Sequence, residues 1–101
     1  PFVQGERTVL LKNVLYIEIQ SHRLCFTVGD EVLHMYGQIG KLEMQLADSH
    51  FVRCHQSYLV NLEHIASIKN YWLCLSNGTE IPVSRSRYSE VKSCYLRYKE
   101  I

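Results

Sequence analysis

The sequence predicts a mainly β domain with one short internal helix and one C-terminal helix, on three observations. Short runs rich in Val, Ile, Leu, Tyr and Phe recur along the chain, each three to six residues long and bounded by polar or glycine-containing connections. Ile39, Leu42 and Leu46 fall at helical rather than strand spacing. Tyr88, Val91, Tyr95 and Tyr98 repeat at i, i+3, i+7 and i+10, one stripe of an amphipathic helix.

Taken in order, Thr8 to Leu11 and Val14 to Ile19 read as two strands joined by the polar pair Lys12-Asn13. After the polar stretch Gln20-Ser21-His22-Arg23 a strand resumes at Leu24 to Val28, stops at Gly29-Asp30-Glu31 and returns at Val32 to Tyr36. The result is a meander of hairpins. Gly37 to Gly40 interrupts the β pattern, and the helix that follows has room for about two turns, so packing must hold it. Asp48-Ser49-His50 closes it, and strands follow at Phe51 to Arg53, Tyr58 to Asn61, Ile65 to Lys69, Trp72 to Leu75 and Thr79 to Val83. Asn77-Gly78 is a two-residue hairpin signal whose two central positions both call for positive φ. Pro82 ends the last strand, and Ser84 or Ser86 is placed to cap the C-terminal helix.

A chain of 101 residues with 47% hydrophobic residues supports one compact domain, residues 1–101, and is too short for two. Eleven Lys and Arg against ten Asp and Glu leave a net charge of +1, so a polyanion partner requires a local site rather than a whole-molecule field. From Ile68 onward six basic residues (Lys69, Arg85, Arg87, Lys92, Arg97, Lys99) face three acids (Glu80, Glu90, Glu100), and this third is net +3. The four cysteines are widely spaced without a C-x-x-C pair, as expected of free thiols in a reducing cytoplasm. No apolar run approaches the roughly 18 residues of a membrane span, and no secretory signal is present, so no membrane partner is expected. The chain begins at Pro1 without an initiator methionine, as expected of a piece of a longer protein.

Catalysis is poorly supplied. The acids are scattered except for Asp30-Glu31 in a turn, which solvation explains. Cys54-His55 with His50 or His64 matches no zinc spacing, and neighbours on a strand point to opposite faces, which sets Cys54 and His55 against a thiolate-imidazole pair. The five glycines are dispersed and form no phosphate loop. The reading is therefore of a non-enzyme without metal or cofactor.

Three polar clusters lie at connections, where a β scaffold can present them together: Gln20 to Arg23, His55 to Ser57, and Ser84 to Arg87. Their chemistry suits duplex DNA. Arg23 and Arg85 can each grip a guanine edge bidentately, Gln56 can pair with adenine, and His22 can donate to a base acceptor. Gln20, Ser21, His55, Ser57, Ser84 and Ser86 are candidate backbone contacts, and Arg87 adds charge there. Ser84 and Ser86 are equally explained as helix caps. Arg53 and Asn61 flank the middle cluster on strands and read as partly structural. The rival class is a protein-interaction module on the same β scaffold.

Tyr16-Ile17-Glu18, the stretch Phe51-Val52-Arg53-Cys54-His55-Gln56-Ser57-Tyr58-Leu59-Val60-Asn61, then Leu75-Ser76-Asn77-Gly78 and Ile81-Pro82-Val83-Ser84-Arg85 together resemble the LytTR DNA-binding domain family. Order and spacing match across nearly the whole chain. Ser21-His22-Arg23 and the Cys54-His55-x-Ser57 form resemble the accessory-gene-regulator class of response regulators, which implies peptide-pheromone signalling. The resemblance implies an elongated sandwich of small antiparallel sheets whose loops along one edge enter successive grooves, without a recognition helix. His22 or Arg23, Gln56 and Arg85 are the base-contacting positions it implies. It further implies a two-component transcription regulator that binds tandem repeats in double-stranded DNA, as a dimer joined through an N-terminal receiver domain.

Overall fold

Residues 2–4 and 7–100 are described in a computed structural model of the chain. The centre is a five-stranded antiparallel sheet made of Val14–Gln20 (β3), Arg23–Val28 (β4), Glu31–Tyr36 (β5), Phe51–His55 (β6) and Tyr58–Asn61 (β7), in the order β5-β4-β3-β7-β6. Consecutive apolar residues in its middle strands are explained by cover on both faces. In β7, Leu59 and Val60 are both fully buried although they point to opposite sides.

One face, carrying Val14, Ile17, Leu24, Phe26 and Leu59, is covered by the helix Ile39–Gln45 (α1) through Ile39 and Leu42, and by Leu46 just past its end. The other face, carrying Leu15, Val52, Cys54 and Val60, packs against a three-stranded sheet and the C-terminal helix Arg85–Lys99 (α2). That second sheet consists of Ile65–Lys69 (β8), Trp72–Leu75 (β9) and Glu80–Pro82 (β10), in the order β10-β9-β8. Val91 is wholly buried at the centre of the α2 stripe, with Tyr88, Tyr95 and Tyr98 packed around it. The expected mainly β sandwich of small antiparallel sheets with two helices is therefore the architecture found. Its extents are 37 × 26 × 25 Å, only modestly elongated.

Several local readings differ from the structure. The strand expected at Thr8 to Leu11 is Arg7–Val9 (β2), which pairs with Phe2–Gln4 (β1) rather than with β3. Leu11–Asn13 forms a 3₁₀ turn instead of a hairpin, and its carbonyls receive long-range donors. Asn61 Nδ2 donates to the Leu11 oxygen at 3.4 Å, and His64 Nε2 to that of Lys12 at 2.8 Å. His55 belongs to β6, so the connection to β7 is Gln56-Ser57 alone. Arg85, Ser86 and Arg87 belong to the first turn of α2 and not to a loop. At Asn77-Gly78 only Gly78 has positive φ, +89°. Asn77 instead accepts from Thr79 N through Oδ1 at 3.0 Å, and Gly78 N bonds Leu75 O at 2.9 Å, a tight turn followed by a glycine bulge. The pair of positive φ values lies at Asn70 (+52°) and Tyr71 (+65°), between β8 and β9.

Candidate nucleic-acid interface

The three polar connections meet because backbone hydrogen bonds tie each to the next. Ile19 N, beside the β3–β4 turn, donates to Ser57 O in the β6–β7 turn at 3.0 Å. Ser84 N, ahead of α2, donates to Cys54 O next to that turn at 2.9 Å. Side chains reinforce the first link: Glu18 accepts from Gln20 Nε2 and Tyr58 OH, each at 3.2 Å. One edge of the molecule thus gathers residues far apart in sequence.

At the first connection Gln20 opposes Arg23, and Ser21-His22 form the apex with Ser21 at φ +59°. Gln20, Ser21, His22 and Arg23 are all exposed. Arg23 Nη1 lies 3.3 Å from His34 Nδ1 on the next strand, so the ring orients the guanidinium without cancelling its charge. Gly37 N donates to His22 O at 3.0 Å, and a Cβ at Gly37 would sit 2.8 Å from Leu24 Cδ1, so a larger residue there would require the Leu24 side chain to shift.

The middle connection is held from behind by Arg53. Its Nε donates to His55 O at 2.9 Å, Nη2 to Gln56 O, and Nη1 meets Glu43 on α1 at 2.8 Å. With only 12% of its side chain exposed, Arg53 is a brace rather than a contact. Asn61, 2% exposed, plays the same part at the far end of the hairpin, donating to Val14 O at 3.0 Å and accepting from Glu63 N at 3.0 Å. His55 Nδ1 accepts from Ser57 N at 3.1 Å, which leaves Nε2 as the ring's donor. Its ring packs edge-on to Tyr58 at 5.6 Å. Gln56 is exposed, while His55 and Ser57 are half-buried.

Cys54 stands beside His55 in sequence, but strand alternation puts it on the same inner face as Val52, with its sulfur 3.7 Å from Pro82 O. Burial pushes this thiol up to about 12, against weaker opposing pulls from a backbone hydrogen bond, Arg87 and Arg53. A thiol held protonated in this way is a poor nucleophile. Tyr58 is likewise raised, first by burial and then by the charge and hydrogen bond of Glu18. Among the described residues no three His, Cys, Asp or Glu side chains are grouped to hold a metal ion, and no helix is long and apolar enough to cross a membrane.

At the third connection Ser84 occupies the position before α2, yet its hydroxyl caps nothing and points toward Cys54 O at 3.5 Å. Arg85 and Ser86 are exposed and Arg87 is half-buried. The first turn of α2 contains no acid, so its free N–H groups and two arginines present positive charge together. Arg85 Cζ lies 5.2 Å from the centroid of the Tyr71 ring.

Two neighbours of this edge escaped the sequence reading. Tyr36, 81% exposed, pairs opposite Arg23 and closes a hollow of about 350 Å³ with Gln20, Ser21, His22 and Arg23. The Asn70-Tyr71 turn is joined to the α2 junction by Val83 N donating to Tyr71 O at 2.9 Å. A polar residue before Tyr71 between two strands was the available sign of a turn, but not of where it packs.

Residues 6–95 match the model of the family described as the LytTr DNA-binding domain. The chain is 28% identical over 98 residues to the sensory transduction protein LytT of Enterococcus faecalis, covering 89% of this chain and 40% of that protein. It is 30% identical over 101 residues to the transcriptional regulatory protein LytR of Staphylococcus aureus, covering 92% and 41% respectively. The chain therefore spans about 40% of the length of such relatives. Among solved structures it is similar to the LytTr DNA-binding domain of a response regulator from Bacillus cereus, with a TM-score of 0.77, 26% identity, and coverage of 85% of this chain and 84% of that one. Sequence match over most of the chain and agreement of fold lead to one conclusion: this chain belongs to the LytTr DNA-binding domain family.

Proposed function

We propose that this domain is the effector part of a bacterial transcription regulator and recognises a specific sequence in double-stranded DNA through the edge that gathers the β3–β4 turn, the β6–β7 turn and the start of α2. The observation that carries the reading is the hydrogen-bonded continuity of these elements, from Ile19–Ser57 to Cys54–Ser84. His22, Arg23, Gln56 and Arg85 are assigned to base edges, and all are exposed there. Gln20, Ser21, His55, Ser57, Ser84, Ser86 and Arg87 are assigned to the sugar-phosphate backbone. His55 suits this role because its Nδ1 is engaged and its Nε2–H is left to donate.

The long dimension of 37 Å is about one turn of B-DNA, which supports a footprint reaching successive grooves. Two copies on tandem repeats, joined through receiver domains, are the assembly we assign. The names of the longer relatives, a sensory transduction protein and a transcriptional regulatory protein, support a signal-responsive regulator. Its four free cysteines agree with a cytoplasmic site of action. No catalytic role is assigned.

Selection of bound duplexes from a random pool tests the reading. A shared motif should emerge, and Arg85→Ala should weaken binding to it by about 1–3 kcal/mol while affecting random DNA much less. Failure to enrich any duplex would overturn the assignment in favour of a protein-interaction module.

A further inference from the structure

The Asn70-Tyr71 turn supplies none of the contacts assigned above, yet it is built at a conformational cost. Asn tolerates the left-handed region, but a tyrosine at φ +65° is strained by contact of its Cβ with the backbone. Such a conformation persists only where its surroundings fix it. Here Val83 N bonds the Tyr71 oxygen, and the ring lies 4.4 Å from that of Tyr88 on α2. The same ring receives Arg85, whose guanidinium carbon is 5.2 Å from the centroid.

Two arginines near this edge, Arg53 and Arg85, are held by different chemistry. Arg53 has its charge met by Glu43 at 2.8 Å and donors committed to two carbonyls. Little of it is left for a ligand. Arg85 instead rests on an aromatic face, which restrains a long, rotamer-rich side chain while leaving its in-plane N–H donors and its full charge available. A flat guanidinium restrained in this manner is prepared for bidentate recognition, since less of its freedom remains to be lost on binding.

We infer that Tyr71 is a positioning residue for base recognition: its ring, presented by the strained turn, holds the Arg85 guanidinium in its reading orientation. This inference rests on the DNA reading proposed above and adds to it a residue that need not touch DNA. The contacts given by Tyr71 are made by its ring and its backbone carbonyl, so the hydroxyl is dispensable.

The test is a double-mutant cycle on the duplex obtained by selection and on a duplex altered at the base pair that Arg85 reads. Tyr71→Asn removes the ring while keeping a residue that accepts positive φ; Tyr71→Phe keeps the ring. Tyr71→Asn should weaken binding to the selected duplex about 3- to 10-fold, reduce discrimination against the altered one, and have no further effect in an Arg85→Ala background. Tyr71→Phe should stay within about twofold of the wild type. Thermal melts of each variant establish that the fold is retained. Equal losses in both backgrounds, a Tyr71→Phe defect as large as that of Tyr71→Asn, or unchanged discrimination would each overturn the positioning role. Absence of discrimination in the wild type would instead remove the DNA reading, and the positioning role with it.

Discussion

Single buried groups account for much of the rigidity behind the proposed binding edge. Asn61 satisfies two carbonyls and one N–H from a site that is 2% exposed, locking the 3₁₀ turn Leu11–Asn13 to the end of β7. Cys54 works by excluding water, and its titration makes that measurable. Its thiol is raised from 9.0 to about 12 by burial. Below pH 9 both the folded and unfolded chains hold the proton, so stability is unaffected there. As pH rises above 9 the unfolded chain releases the proton while the folded chain retains it, and stability falls by up to ~1.4 kcal/mol per pH unit until the folded value is reached. Between pH 8 and 10.5 the wild type should therefore lose about 2 kcal/mol more than Cys54→Ala, measured by urea unfolding at each pH. Equal losses in the two proteins would show that the sulfur is solvated in the folded state.

At the level of elements, the β6–β7 hairpin depends on a brace that crosses to α1. Removing Arg53 leaves the carbonyls of His55 and Gln56 without their donor and Glu43 without its partner. Arg53→Met should lower stability by about 1–2 kcal/mol and weaken binding to selected and random duplexes alike, because the whole turn loosens. Glu43→Gln should cost less, since both carbonyl contacts survive. A full effect on binding with no change in urea midpoint would make Arg53 a direct DNA contact. The sequence made Arg53 readable as structural because it flanks the turn on a strand, but its partner on α1 is ten residues away and carries no local signal. The same division runs through the fold. The β3–β4–β5 meander and the Tyr88-Val91-Tyr95-Tyr98 stripe were legible because their periodicity is imposed by one apolar core each. The bulge at Cys54, the side-chain-capped turn at Asn77 and the left-handed pair at Asn70-Tyr71 were not, since each is decided by partners distant in sequence or by one dihedral angle. Likewise the three polar clusters could be listed from the sequence, while their meeting at one edge depends on the Ile19–Ser57 and Cys54–Ser84 bonds.

For the molecule as a whole, a net charge of +1 means that attraction to DNA must come from uneven placement of charge. The edge proposed to bind DNA offers such placement: Arg23 is held by an imidazole, Arg85 by a ring, and Arg87 stands in an acid-free first helical turn, while Glu18 is engaged with Gln20 and Tyr58. Neutralisation of roughly 5 phosphates predicts a slope of about −4 to −5 for log affinity against log salt. Over a fourfold rise from 50 to 200 mM, affinity should then fall by about 250- to 1,000-fold. Arg87→Ala should make the slope shallower by about 1 on selected and random DNA together, as expected of a phosphate contact. Affinity that hardly changes over this range would mean that the edge does not neutralise phosphates, and a slope unaltered by Arg87→Ala would reassign Arg87 to the support of Cys54 and α2.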